Sequence, residues 1–221
     1  MSSVCAIIVA AGEGKRFGAA KPFAYLSGKT ILDRCLEIFD SHSGISGIVL
    51  VLRDLSSKED VFKKYAKMRS VVKGGRRRQD SVFFGFQQVD PDSADLVLIH
   101  DAARPLVQVN LIERIIGATK EFGAAIPVLP VYDTIKKVRG DRVSHTIDRQ
   151  GLYHVQTPQG FAYGVLRRAF DRVLDQPLVY TDESALVEKT GQDVFVVDGD
   201  PKNIKITVPD DIKIAEALVE D

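Results

Sequence analysis

The sequence predicts an α/β fold. Apolar runs alternate along the chain with amphipathic helical patterns. The runs are apolar throughout rather than at every second residue, which is typical of strands buried on both faces of a mostly parallel sheet. No linker or low-complexity tract divides the 221 residues. We therefore expect a Rossmann-like sheet with helices on both faces, forming a single domain over residues 1–221.

The alternation assigns each element in turn. Strands are predicted at Val4–Val9, Ile48–Leu52, Ser70–Val72, Leu96–Ile99, Ala124–Leu129 and Val194–Val197. Helices are predicted at Thr30–Asp40, Lys58–Met68, Gln79–Val89, Asn110–Phe122, Gly164–Leu174 and Pro209–Val219. Ligands of such sheets bind beyond the carboxyl ends of the strands, so the expected sites of chemistry are the loops after Val9, Lys73, Ile99 and Leu129.

Composition excludes several classes of protein. Thirty basic and thirty acidic side chains create no global field that would attract nucleic acid or an anionic membrane. No apolar stretch reaches membrane-spanning length, and the first strand begins within four residues without a cationic leader, so we expect a cytoplasmic protein. Cys5 and Cys35 fall on apolar positions and are predicted to be inert core thiols.

A glycine-rich loop follows the first predicted strand, where residues 10–21 read A-A-G-E-G-K-R-F-G-A-A-K. Such a turn offers backbone N–H groups to phosphates, and the same loop carries the cations Lys15, Arg16 and Lys21. This combination suits a nucleoside triphosphate. The alternative is an ordinary strand-to-helix turn whose cations are solvated.

Neither standard phosphate motif fits this part of the chain. The glycines are spaced G-x-G-x-x-x-G rather than G-x-G-x-x-G, and the place of the acidic residue of a dinucleotide site is taken by a helical pattern. The stretch S-G-K-T at residues 27–30 resembles the end of a Walker A loop. However, Phe23 stands where that motif requires its first glycine.

Two further loops offer groups to a nucleotide. Asp101, in H-D-A-A-R-P, comes directly after an apolar strand and is placed to hold a ribose hydroxyl or a magnesium ion. Alternatively, it caps a helix or pairs with Arg104. Residues 74–81 read G-G-R-R-R-Q-D-S, a glycine turn whose amides could contact a base or a phosphate, and we expect only one of the three arginines to point inward.

The segment from Tyr132 to Gln159 is of a different kind. Two charged runs flank Gly140-Asp141, a two-residue turn typical of a β-hairpin. Such a ribbon is marginal by itself, so we expect an arm at about residues 132–156 that packs on another subunit. The alternative is a hairpin folded back over its own sheet.

Residues Asn203–Thr207 alternate between apolar and polar side chains, which predicts a strand. Ile204 and Ile206 would share one face, and Asn203, Lys205 and Thr207 the other. Lys205 would then point in a fixed direction, toward a ligand or as a charge on an edge strand.

Taken together, seven strings in order along the chain resemble the successive motifs of the 2-C-methyl-D-erythritol 4-phosphate cytidylyltransferase family. They are A-A-G-E-G-K-R-F-G with Lys21, G-G-R-R-R-Q-D-S-V, H-D-A-A-R-P, P-V-Y-D-T-I-K, T-I-D-R-Q-G-L-Y-H-V-Q-T-P-Q-G-F, T-D-E-S-A-L-V-E and G-D-P-K-N-I-K-I-T-V-P-D-D-I. The resemblance covers nearly the whole chain.

The resemblance implies an activity. The cytidylyl group of CTP would be transferred to 2-C-methyl-D-erythritol 4-phosphate, giving 4-diphosphocytidyl-2-C-methyl-D-erythritol and pyrophosphate in the non-mevalonate isoprenoid pathway. It also implies Mg²⁺ or another divalent cation, held by Asp101 or through the CTP phosphates. The enzyme would be a homodimer in which the partner's arm completes each active site, with no nucleic acid or membrane partner.

The resemblance also implies roles for individual residues. Arg16 and Lys21 would be catalytic, stabilising the transition state and the leaving pyrophosphate. The methylerythritol phosphate would be bound by Arg149, Lys205, Thr134, Thr157 and Asp133. The nucleotide would be bound by Ala10, Ala11, Gly12, Gly14, Gly75, Arg76, Ser81, Asp101 and Ala102. One departure from the family pattern is Ala20-Lys21-Pro22, because many members have proline before this lysine.

Three alternatives stay open. A ribitol 5-phosphate cytidylyltransferase would share the fold and most CTP contacts, although the motifs resemble the methylerythritol enzyme more closely. A dinucleotide-dependent dehydrogenase is disfavoured by the glycine spacing. A non-catalytic nucleotide sensor would keep the CTP loop but lose Arg149 or Lys205, both of which this chain has.

Overall fold

The computed structural model describes residues 2–12, 14, 17, 21–56, 58–174 and 179–220. The strands are β1 (Val4–Ala10), β2 (Tyr25–Leu26), β3 (Lys29–Thr30), β4 (Gly47–Leu52), β5 (Met68–Lys73), β6 (Leu96–Asp101), β7 (Ala124–Pro130), β8 (Ile135–Arg139), β9 (Arg142–Ile147), β10 (Tyr153–Val155), β11 (Gln159–Ala162) and β12 (Phe195–Asp198). The helices are α1 (Ile31–Ser41), α2 (Lys58–Lys64), α3 (Arg78–Phe86), α4 (Val109–Phe122), α5 (Tyr163–Leu174), α6 (Glu183–Glu188) and α7 (Asp210–Glu220), with a short 3₁₀ turn at Lys21–Phe23.

The main sheet has the order β10-β7-β11-β6-β1-β4-β5, and β12 also pairs with β7. The pairs β1–β4, β1–β6, β4–β5 and β7–β12 are parallel. The register places Val9 beside Val51 and Asp101, and Leu52 beside Lys73. The carboxyl ends of β1, β4, β5 and β6 therefore meet at one edge, and their loops can share a site.

Both faces of the sheet are covered, which confirms the predicted α/β fold. Ala6 and Ile8 of β1 pack toward α1 and α4, whereas Cys5 and Ile7 pack toward α3 and α5. Burial raises the pKa of Cys5 to about 12 and also raises the pKa of Cys35. Both thiols are free and buried, so they stay protonated and unreactive, as predicted.

The predicted helix Lys58–Met68 was too long. In the structure α2 ends at Lys64, and Met68 begins β5, where it pairs with Ile48. The Met68 side chain is buried in the core on one side of the sheet. This long-range strand pairing overrides the local helical pattern.

The prediction of a strand over Asn203–Thr207 was wrong. These residues have no strand pairing in the structure, and Asn203 is buried rather than on the exposed side with Lys205. The Asn203 side chain donates a hydrogen bond to the carbonyl of Thr157 at 2.9 Å. The backbone N–H of Ile206 donates to the carbonyl of Ala103 at 2.8 Å. Side-chain and isolated backbone bonds thus replace a strand ladder, and the segment still holds Lys205 in place.

The stretch S-G-K-T is a turn, in agreement with its rejection as a Walker A loop. Ser27 and Gly28 have φ values of 45° and 80° and join β2 to β3. Thr30 then caps α1, because its hydroxyl accepts a hydrogen bond from the N–H of Asp33 at 3.0 Å. The residues of this motif therefore build a hairpin turn and a helix start.

The predicted hairpin is present as β8 and β9, which pair with each other in a separate two-stranded sheet. Its side chains are mostly exposed, including Val138 at 54% and Val143 at 61%. Among the described residues, the ribbon pairs with no strand of the main sheet. The guanidinium of Arg149 donates to the carbonyl of Tyr132 and closes the base of the arm.

Candidate active site

A cleft of about 770 Å³ lies at the carboxyl ends of the parallel strands. Its walls come from the loops after β1, β4, β5 and β6 and from the segment around Lys205. Eleven of the residues that the sequence analysis singled out line it: Ala10, Ala11, Gly12, Gly14, Lys21, Gly75, Arg76, Ser81, Asp101, Ala102 and Lys205.

The wall between the loops after β1 and β5 depends on Gly74. A Cβ atom at Gly74 would lie 2.3 Å from the Cβ of Ala11 and 2.8 Å from the Oγ of Ser81, so a larger residue would push the two loops apart. The Ser81 hydroxyl accepts from the N–H of Gly75 at 3.1 Å and donates to the carbonyl of Arg77 at 3.1 Å. Ser81 therefore shapes this wall from within.

Asp101 lies on the floor of the cleft between two cations. Its Oδ1 accepts from Nε of Arg78 at 2.8 Å, and its Oδ2 accepts from Nζ of Lys205 at 2.6 Å. Burial disfavours the charged form, but Arg78 and Lys205 outweigh that effect and hold the pKa of Asp101 well below its ordinary value. Asp101 is therefore ionised, and the positive charges of Arg78 and Lys205 offset its negative charge.

The other partner considered for Asp101 was Arg104, and the structure gives Arg104 a different role. Its Nη1 donates to the carbonyl of Asn203 at 2.8 Å, and its Nη2 donates to the carbonyl of Val155 at 3.3 Å. Arg104 therefore ties the segment that carries Lys205 to β10.

Lys21 reaches the cleft from the 3₁₀ turn. Its Nζ donates to the carbonyl of Ile206 at 2.9 Å, next to Lys205 in the chain. The structure thus brings together two cations that are far apart in sequence. Lys21 lines the cleft although Ala20 rather than proline precedes it.

Thr157 was expected to contact the second substrate, but its hydroxyl is buried beneath the cleft. It accepts from the backbone N–H of Asp101 at 3.1 Å and lies 3.1 Å from Nδ1 of His100. With only 5% of the residue exposed, this hydroxyl supports Asp101 rather than facing the cleft.

Four predicted site residues do not line this cleft within one chain. Thr134, Asp133 and Arg149 are exposed on the arm or at its base, and Thr157 is buried below the floor. Arg16 falls outside the described residues.

Sequence reasoning missed three cations of the cleft. Arg53 directly follows β4, Lys73 ends β5, and Arg78 begins α3. The signal was available, because Arg53 and Lys73 lie at the carboxyl ends of parallel strands and Arg78 follows the loop after β5. Arg78 is the most shielded of the three consecutive arginines. Arg76 and Arg77 also line the cleft, so the expectation that only one of the three would point inward is not confirmed.

The cleft is strongly cationic. Among its described lining residues, the only carboxylate is Asp101, while seven side chains are positively charged: Lys21, Arg53, Lys73, Arg76, Arg77, Arg78 and Lys205. Converging cations in a partly desolvated cleft favour a polyanionic ligand such as a triphosphate.

The described residues contain no group of three or more His, Cys, Asp or Glu side chains that could enclose a metal ion. Mg²⁺ commonly binds through one or two carboxylates together with substrate phosphates. The single carboxylate Asp101 fits that mode, in which most ligands would come from the nucleotide. Within the same described ranges, no helix is both long and apolar enough to cross a bilayer.

Comparisons with known proteins point to one family. Residues 4–221 match the family model described as 2-C-methyl-D-erythritol 4-phosphate cytidylyltransferase. Proteins of that name from Geobacillus thermodenitrificans and Syntrophotalea carbinolica are 41% and 39% identical, covering 97% and 99% of this chain and 96% and 97% of their own length.

Two solved structures are similar over almost the whole fold. The 4-diphosphocytidyl-2C-methyl-D-erythritol synthase of Anaerococcus prevotii has a TM-score of 0.87 at 32% identity, covering 100% of this chain and 97% of its own. The 2-C-methyl-D-erythritol 4-phosphate cytidylyltransferase of Francisella tularensis has a TM-score of 0.86 at 34% identity, with coverages of 98% and 100%.

Proposed function

The chain belongs to the 2-C-methyl-D-erythritol 4-phosphate cytidylyltransferase family, and from this membership we propose how its cleft carries out the reaction. It is a nucleotidyltransferase of the non-mevalonate pathway that transfers the cytidylyl group of CTP to 2-C-methyl-D-erythritol 4-phosphate. The observation that carries the proposal is the excess of cations around one neutralised carboxylate in the cleft.

The reaction requires charge neutralisation more than a general base. A phosphate oxygen of methylerythritol phosphate attacks the α-phosphorus of CTP, a new P–O bond forms, and the bond to the pyrophosphate oxygen breaks. The nucleophile is already ionised near neutral pH, so no protein group has to remove a proton. Fixed cations lower the repulsion between two polyanions and hold them in line.

Three cations of the chain have proposed roles in this reaction. Lys21 and Arg16 stabilise the negative charge on the transition state and on the leaving pyrophosphate. Lys205 binds the phosphate of methylerythritol phosphate from the neighbouring segment. The contact of Lys21 with the Ile206 carbonyl supports this division, because it places the two ammonium-bearing segments side by side.

The nucleoside would be bound by the opposite wall. Asp101 and Ala102 hold the ribose, since both lie at the end of β6 in the cleft. The base is bound by the side chain of Ser81 and by the backbone of four residues, Ala10, Ala11, Gly75 and Arg76. These residues form the wall shaped by Gly74. Gly12 and Gly14 give the phosphates access to the backbone.

Magnesium would enter with the nucleotide. Bound to the triphosphate, it would supply neutralisation of phosphate charge. Asp101 is the protein group that could contact it, and the remaining ligands would be phosphate oxygens and water. Other divalent cations of similar size could serve.

The arm would complete the site of a second subunit. Arg149, Thr134 and Asp133 are exposed where the hairpin leaves the domain, so they are available to a partner. Val138 and Val143 are likewise exposed apolar side chains, which a partner could cover. We therefore infer a homodimer in which these three polar residues reach the methylerythritol phosphate of the neighbouring cleft.

A pyrophosphate-release assay tests the proposal. Wild-type protein should release pyrophosphate from CTP only when methylerythritol phosphate and Mg²⁺ are present, and ribitol 5-phosphate should be a poor substitute. Lys21→Ala should lower kcat by about 10²–10³, the loss typical of removing one transition-state donor.

A matched control is Lys29→Ala, which removes an exposed lysine paired with Glu37 outside the cleft. It should keep wild-type turnover. Undiminished pyrophosphate release by Lys21→Ala would rule out the assigned role of this lysine. Faster turnover with ribitol 5-phosphate than with methylerythritol phosphate would show that ribitol 5-phosphate is the preferred substrate.

A further inference from the structure

A chain of charges extends from the exposed Lys205 through the cleft floor to the buried Glu183. Glu183, which is fully buried, accepts from Nη1 of Arg78 at 2.7 Å through its Oε2. Nε of the same guanidinium donates to Oδ1 of Asp101, and Oδ2 of Asp101 receives Nζ of Lys205. Four charges of alternating sign thus connect α6 to the cleft, and only the last two belong to the proposed substrate contacts.

The inner end of this chain is rigidly held. Asp182 caps α6 by accepting from the N–H of Ala185 at 3.1 Å. Its other carboxylate oxygen accepts from Nε2 of Gln159 at 2.8 Å, and Gln159 belongs to β11 in the middle of the sheet. Glu183 follows directly on this anchored residue, so its carboxylate cannot easily follow a displaced Arg78.

The arrangement is poorly explained by stability alone. Oε1 of Glu183 is buried and has no hydrogen-bond partner within the described part of the chain. Burial raises the pKa of Glu183 above its ordinary value, although Arg78 opposes that rise. A buried ion pair with an unsatisfied oxygen is commonly no more stable than apolar side chains of the same volume.

The geometry of Arg78 suits a bridge between two carboxylates. Its planar guanidinium presents Nε to Asp101 and Nη1 to Glu183 at once, which a lysine ammonium on a flexible stem would not do with the same fixed directions. By occupying Oδ1, Arg78 fixes the carboxylate plane of Asp101 and leaves Oδ2 toward Lys205 and the cleft. Its charge also reduces the repulsion between Asp101 and a triphosphate.

We propose that Glu183 and Arg78 are positioning residues for cytidylyl transfer, with Glu183 fixing Arg78 and Arg78 fixing the Asp101 carboxylate that places Lys205. The inference rests on the proposed function, in which Asp101 and Lys205 contact the substrates. Neither Glu183 nor Arg78 has to touch a reacting atom. Their contribution is the orientation of the two groups that do.

The test compares Glu183→Gln, Arg78→Lys and Asp101→Asn in the full chain with CTP, methylerythritol phosphate and Mg²⁺. Glu183→Gln and Arg78→Lys should each lower kcat/KM for methylerythritol phosphate about tenfold or more, with a fall in kcat as well as a rise in KM. In an Asp101→Asn background, Arg78→Lys should cause no further loss, because the group it positions is already gone.

Asp33→Asn is the matched control. Asp33 lies in the first turn of α1, outside the cleft. Its carboxylate accepts hydrogen bonds from the ammonium group of Lys64 and from the hydroxyls of Tyr65 and Thr30. Its loss should lower Tm without changing kcat/KM. If Glu183→Gln does not fold, Arg78→Lys, which retains a cation, gives the same comparison.

Three outcomes would overturn the proposal. Glu183→Gln and Arg78→Lys could lower Tm while retaining wild-type kcat and KM, as a purely structural role requires. The losses from Arg78→Lys and Asp101→Asn could multiply, which would show that they act independently. Wild-type turnover by Asp101→Asn would remove the role of Asp101 itself, whereas the effect of Lys21→Ala tests the proposed function separately.

Discussion

His100 lies fully buried beneath the cleft, and its contacts determine its tautomer. Nε2 lies 3.1 Å from the carbonyl of Arg104, which can only accept, so Nε2 carries the proton. Nδ1 then accepts from the Thr157 hydroxyl, and that hydroxyl accepts from the N–H of Asp101. A neutral imidazole therefore supports the backbone of Asp101 through Thr157.

This burial predicts a pH dependence of stability. Burial lowers the pKa of His100 to about 4, below its unfolded value near 6.5. Between these values the unfolded chain binds a proton that the folded chain does not. The contribution of His100 is thus fully present above about pH 6.5 and is lost as the pH falls toward 4.

Urea unfolding at pH 7.5 and pH 5 measures this effect. His100→Gln should reduce the loss of unfolding free energy between these pH values by up to about 1.4 kcal/mol per unit of pH over the titrating range. His145→Gln, which removes a histidine on the exposed hairpin, is the control variant. Equal slopes in all three proteins would contradict a neutral buried His100.

At the scale of secondary-structure elements, β11 joins the parallel strands β5, β4, β1 and β6 to the second half of the main sheet. It lies between β6 and β7 and is antiparallel to both. The strand has the sequence Q-G-F-A, too short and too mixed to be recognised from its pattern. Gly160 fits because a Cβ there would lie 2.1 Å from Oγ1 of Thr119 on α4.

Phe161 anchors this strand, so truncating it should be costly. The side chain is fully buried in the core beside α5. Phe161→Ala should lower the free energy of unfolding by about 3–5 kcal/mol, as expected for a large buried aromatic residue. Thermal or chemical unfolding measures the change.

Phe122→Ala provides the comparison for Phe161→Ala. Phe122 is 37% exposed and stacks on Phe195 with ring centroids 3.9 Å apart. Phe122→Ala should lower the free energy of unfolding by clearly less than Phe161→Ala, since part of the Phe122 surface is already in water. Similar losses at both positions would contradict the role of Phe161 as the anchor of β11.

At the scale of the whole molecule, the cleft and the arm are separate parts of one proposed site. The cleft contributes Lys21 and Lys205, whereas Arg149 lies at the base of the exposed hairpin. If the arm serves a partner, each active site needs residues from two chains. A dimer of two chains, one defective in the cleft and the other in the arm, would then contain one intact site.

Mixed dimers test this shared site. Lys21→Ala and Arg149→Ala should each be nearly inactive alone. Co-expressed in equal amounts, they should recover about a quarter of wild-type turnover, because half of the dimers then contain one intact site of two. No recovery in verified mixed dimers would contradict an arm that acts across the subunit interface.

The sequence by itself determined the α/β fold, the main parallel strands, the hairpin and the family. These follow from local pattern: β1 and β4 are apolar throughout because both faces are covered, and Gly140-Asp141 marks a tight turn. The glycine loop and Lys21 were likewise recognised, because strand ends in parallel sheets are where ligands bind.

Only the tertiary structure decided which side chains meet. The pairing of Asp101 with Arg78 and Lys205, and of Arg78 with Glu183, joins residues 23, 104 and 105 positions apart in the chain. Local pattern also misjudged Asn203, whose burial is decided by a hydrogen bond to the Thr157 carbonyl. Periodicity reports which face of an element is apolar, but the partner of a buried polar group depends on long-range packing, which no short stretch of sequence contains.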